Sequence, residues 1–127
     1  LKDMRLDEIM KLLYYKKETY FLDMFGKVKH NHTTLYNDRN NCISEKHIER
    51  WLSMNDLLNV SIYLNEGWQP DWNNIQEKKY IIIVKNDTVS TQETDFPCSI
   101  TYFKTKEKAM AAIEIIGEKQ LKTIFLG

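Results

Sequence analysis

Leu6, Ile9, Met10, Leu13, Tyr20, Phe21 and Met24 recur three and four apart, the spacing of one helical face, and predict a helix from about Arg5 to Phe25. Lys17 interrupts the stripe, while Leu12, Tyr15, Leu22 and Phe25 lie off it, so this helix is expected to be apolar on more than one side. Gly26 is its expected stop, because a residue without Cβ takes the left-handed conformation at little cost. The β-branched residues between Val28 and Leu35 then predict a short ribbon, and the asparagines from Asn37 to Asn41 a loop.

Ser44 before Glu45 is a fair N-cap with an acid in the first turn, and a second helix is expected from here to about Glu66. Ile48, Trp51, Leu52, Leu58 and Ile62 form one stripe on it, and Met54, Leu57, Leu64 and Trp68 a second. Two adjacent apolar flanks predict a central helix. Gly67 caps it and Pro70 forbids its continuation. The run Lys79 to Lys85 is short, β-branched and flanked by charge, and its unbroken apolar interior predicts a strand buried on both faces. Asn86-Asp87 is a turn signal, and Thr88 to Thr94 reads as the return strand. Phe96-Pro97 breaks the pairing, and Ser99 to Phe103 is expected to form a third strand. Thr105 should cap a helix through Ile116 with Ala109, Met110, Ile113 and Ile116 inward. Gly117 ends it, and Glu118 to Leu126 forms a last helix burying Leu121, Ile124 and Phe125. The predicted fold is α+β: a long central helix packed on a small three-stranded antiparallel sheet, with an N-terminal helix and two C-terminal helices.

Length adds that the 127 residues suit a single domain with one core. With 43% hydrophobic and 28% charged residues the chain should fold rather than stay disordered. Eighteen basic residues balance eighteen acidic ones, so no overall field draws it to polyphosphate or anionic lipid. Cys42 and Cys98 fit no metal or redox spacing; two free thiols in a reducing cytoplasm is the plain reading, one long-range disulfide the alternative. No leader pattern opens the chain and no apolar run is long enough for a bilayer, so a soluble cytoplasmic protein without membrane contact is expected. The start at Leu1 rather than methionine suggests a trimmed or truncated product.

Candidate chemistry is sparse. Trp68 and Trp72 offer two flat surfaces in one turn, suited to stacking a base or sugar. The competing and preferred reading has them plug the junction of helix and sheet, with the Asp71 side chain satisfying turn amides. His30 and His32 would share one side of an extended segment, a geometry that chelates zinc, with Cys42 or His47 to complete a site, yet the spacing of a structural metal site is missing. Lys27, Lys29 and His30, and separately Lys104, Lys106 and Lys108 beside Tyr102 and Phe103, make a candidate single-strand-binding surface; nearby acids such as Asp95 and Glu107 argue for solvated loops instead. No catalytic motif is present, and neither an enzyme nor a cofactor is expected.

The stretch from Leu57 through Leu64-Asn65-Glu66-Gly67-Trp68-Gln69-Pro70-Asp71-Trp72 to Lys79-Tyr80 resembles a motif of uncharacterised small proteins of bacterial phages and mobile elements. Tyr102 to Ala109, with Ile115 to Glu118, resembles the strand-to-helix end of the same group. Together they cover about residues 45 to 126. The resemblance implies such an origin and transfers no catalytic residue. The expected function is therefore non-enzymatic binding of another macromolecule, most simply a protein or a second copy as a homodimer. Nucleic acid is the alternative partner, and a small enzyme without a recognisable motif comes third.

Overall fold

A computed structural model describes residues 3–15, 17–31 and 40–127, in two compact units, Leu1–Glu49 and Arg50–Gly127. The first unit opens with helix α1, Leu6–Tyr14, and continues into an antiparallel hairpin of β1, Thr19–Leu22, and β2, Val28–Asn31. The helix expected to reach Phe25 thus ends at Tyr14. Thr19 to Leu22 is a β-branched and aromatic run, and strand pairing there overrides a helical spacing that Tyr20 and Phe21 satisfied only by coincidence. Gly26, with φ of 78°, serves the hairpin turn instead of a helix end. Asp23 Oδ1 accepts the amides of Phe25 and Lys27 at 2.9 and 2.8 Å, which closes that turn. Cys42 exchanges both backbone bonds with Tyr20, and the buried Tyr14 hydroxyl donates to the Asn41 carbonyl at 3.0 Å. The expected ribbon beyond Asn31, including His32, lies outside the described residues.

Helix α2, Glu45–Asn65, begins in the first unit and runs into the second. Ser44 Oγ accepts the His47 amide at 3.0 Å, the expected cap. Positive φ at Glu66 and Gly67 ends the helix where the sequence predicts. Strands β3, Lys79–Lys85, and β4, Thr88–Thr94, pair from Lys79↔Thr94 to Lys85↔Thr88. Their turn residues Asn86 and Asp87 both have positive φ, as a two-residue hairpin loop requires. Helix α3, Lys106–Ile116, is capped by Thr105, whose hydroxyl accepts the Lys108 amide at 3.1 Å. Gly117 separates it from α4, Glu118–Leu126.

Leu57, Ile82, Phe103, Ala109, Ala112, Leu121 and Ile124 form the core of the second unit. The two alanines carry little bulk, and α3 and α4 both come close to the hairpin. Three expectations change. First, α2 buries its two predicted stripes only in part: Leu57 and Ile48 are enclosed and Leu52 is half-buried, whereas Trp51, Leu58 and Ile62 stay exposed. Second, there is no three-stranded sheet among the described residues but two sheets of two strands. Ser99 to Phe103 contributes one bridge, Phe103 to Tyr80, because its other residues bond elsewhere. Third, Met110 is exposed and Phe125 only half-buried.

Candidate binding surface

The turn after α2 is held from beneath by an ion pair. Lys79, at the start of β3, has no exposed side chain, and its Nζ donates to the carbonyls of Asn74 and Glu77 at 3.1 and 3.0 Å. The Glu77 carboxylate lies 3.4 Å away as counter-charge. The same carboxylate accepts the Asp71 amide at 2.9 Å and the Trp68 indole N–H at 3.4 Å. The Asp71 amide above all holds the Glu77 carboxyl below its usual pKa; desolvation opposes it, and the Trp68 and Lys79 donors add to the lowering. Asp71 Oδ1 accepts the Asn73 amide at 3.0 Å, as expected for a turn acid. Trp72 meets Tyr102 edge to face at 4.7 Å, and the Lys79 ammonium sits 5.1 Å from the Trp72 ring. Both tryptophans are half-buried, so each is anchored in the turn and each keeps some surface.

On the other side of this turn lies an open groove of about 250 Å³, lined by Ile62, Trp68, Pro70, Ile100 and Tyr102, with Ser61 and Thr101. Apart from the exposed Gln69, its polar side chains are engaged within the fold. Thr101 donates to Ser61 Oγ at 2.7 Å, Ser61 donates to the Leu58 carbonyl, and the Tyr102 hydroxyl bonds both the amide and the carbonyl of Ser99. What the groove has left to offer is mainly apolar surface, with the Gln69 amide. It continues onto α2, where Trp51 and Leu58 are each 38% exposed, Ile62 69% and Tyr63 80%. Asn65, at the end of the helix, donates to the Tyr102 carbonyl at 2.8 Å and accepts the Lys104 amide at 3.1 Å, fixing the groove's far wall. The Lys79–Glu77 pair and the bonds of Asn65 to Tyr102 and Lys104 are invisible in the sequence, where Lys79 is only the charged flank of a strand.

The candidate lysines fall in both units. Lys27 and Lys29 belong to the first unit and Lys104, Lys106 and Lys108 to the second. Lys29 pairs with Asp23 at 3.7 Å; Lys108 pairs with Glu66 at 3.6 Å and donates to the Leu64 carbonyl. Lys104 and Lys106 are exposed. His30 stacks on Tyr20 at 4.3 Å and contacts Glu18, and no group of three metal-ligating side chains forms among the described residues. Cys42 and Cys98 are both free thiols, the first buried and the second exposed. A wider cleft of about 560 Å³ is lined by Ile75–Lys78 and Gln92–Phe96. Its Lys78 and Glu93 pair with each other at 3.6 Å, and it contains neither histidine nor cysteine. No helix among the described residues is long and apolar enough to cross a membrane. Comparison with models of protein families, with curated proteins and with solved structures finds no match.

Proposed function

We propose that this chain is a non-enzymatic module that binds another protein, of phage or mobile-element origin and acting in the cytoplasm. The observation that carries the reading is the apolar strip formed by Trp51, Leu58 and Ile62 on α2 and continued by the groove of Trp68, Pro70 and Ile100. Large apolar side chains that the fold leaves on one helix face, beside a mainly apolar groove, favour association over chemistry. The origin rests on the resemblance of the Leu64 to Trp72 stretch. The nucleic-acid alternative has less to draw on, since Lys29 and Lys108 are paired with acids.

The test is affinity capture from a bacterial host lysate with the intact chain and with Ile62→Glu, an exposed site where a charge leaves the core alone. A protein retained by the parent and lost by the variant supports the reading. Equal retention by both, or retention of nucleic acid in place of protein, contradicts it.

A further inference from the structure

The tip of the β1–β2 hairpin holds two large apolar side chains in water. The Asp23 amide donates to the Lys27 carbonyl at 2.8 Å, and the Gly26 amide donates to the Asp23 carbonyl at 3.1 Å. Asp23 Oδ1 also accepts the Phe25 and Lys27 amides, and Gly26 supplies the positive φ. Asp23 and Gly26 are thus the side-chain choices this turn requires. Met24 and Phe25 occupy positions where turns ordinarily carry Asn, Ser or Gly, and their side chains do nothing to close it. They stand 90% and 80% exposed, Met24 being the most exposed large hydrophobic side chain among the described residues. Charge at the tip is positive, two lysines against one carboxylate. Lys27 is exposed and makes no ion pair among the described residues, and Lys29 lies 3.7 Å from Asp23. The next acid along the segment, Glu18, contacts His30 at the open end of the hairpin.

We infer that the Met24-Phe25 tip docks the protein peripherally on an anionic lipid surface, with the two side chains in the acyl layer and Lys27 at the phosphates. Size and charge choose this partner. An aromatic side chain buries about 150–250 Å², so a pair of side chains falls well short of the roughly 800 Å² per partner that a stable protein interface takes. A bilayer asks for no such complement. Reversible adsorption to it scales with the apolar area inserted, plus the attraction of nearby cations to anionic headgroups. The order of groups along the tip, apolar at the end and cationic immediately behind, matches the order of the layers it meets. Stacking on a nucleic-acid base would use the Phe25 ring and leave Met24 without a role. The expectation of no membrane contact came from overall charge and the lack of a spanning run, neither of which bears on a two-residue tip. This contact goes beyond the protein-binding reading and does not rest on it.

The probe is vesicles of phosphatidylcholine with about 30% phosphatidylglycerol, floated with the intact chain at low salt. The parent binds them about fivefold more tightly than vesicles of phosphatidylcholine alone, the worth of one net cation near the surface. Met24→Ser combined with Phe25→Ser, which alters exposed side chains only, weakens binding by about tenfold or more. Lys27→Gln loses about fivefold on the anionic vesicles and nothing on the neutral ones. Phe25→Trp gains emission that lipid brominated on its acyl chains quenches, beyond any quenching of the parent's own tryptophans. That readout keeps the test decisive whatever the serine variant does to the fold. No flotation of the parent, equal flotation of the serine variant, or no added quenching in Phe25→Trp overturns the inference. So does a single-stranded oligonucleotide that displaces the vesicles from the parent and is not retained by Phe25→Ser. Failure here leaves the reading from α2 standing, which Ile62→Glu scores separately.

Discussion

A lysine without solvent needs its charge answered locally, and at Lys79 two carbonyls and the Glu77 carboxylate do so. Lys79→Met keeps much of the stem's volume but strips those acceptors of their donor. The expected loss is about 2–4 kcal/mol in chemical denaturation, with a shift in Trp72 fluorescence, since the ammonium lies near that ring. Glu77 gives a pH signature. Its folded pKa is lowered, so its contribution to stability is complete above the unfolded glutamate pKa of about 4.3 and is lost as pH falls through the lower folded value. Thermal melts between neutral and acid pH should therefore show a steeper acid decline for the parent than for Glu77→Gln. Equal slopes would show that the carboxylate does not hold the turn. The sequence announced the turn through Gly67, Pro70 and Asp71, whose effects are local. It did not announce Glu77 or Asn65, because their partners are set by where β3 and Tyr102 arrive in space.

Among the elements, those punctuated by short-range chemistry were legible: Ser44 and Thr105 as caps, Gly67 and Gly117 as stops, Asn86-Asp87 as the hairpin turn. Those depending on which face meets a neighbour were not. Periodicity extended α1 through residues that pair as β1, and strand propensity in Ser99 to Phe103 was defeated by side-chain bonds from α2. Nothing along the two predicted stripes of α2 marks Ile48 and Leu57 for burial and Trp51, Leu58 and Ile62 for exposure; packing decides that residue by residue. A pair of adjacent substitutions checks that choice. Leu57→Ala should cost about 2–5 kcal/mol in urea unfolding, since Leu57 is fully enclosed, while Leu58→Ala should stay within about 0.5 kcal/mol. Similar losses at both positions would mean that both flanks are buried.

For the whole molecule, balanced charge and an unfilled apolar strip point to association that salt scarcely affects. The complex captured from lysate should keep its dissociation constant within about threefold as salt rises from low to physiological strength, whereas phosphate binding through several lysines would lose orders of magnitude. The lysines that suggested nucleic acid were visible in the sequence. Their pairing and their division between two units were not. The most direct test is hydrogen exchange of the chain alone and in that complex, read along the whole sequence. Protection concentrated on 58–70 and 98–102 is the predicted result. Protection confined to the lysine-bearing segments 27–29 and 104–106, with α2 and its turn unchanged, would contradict the account.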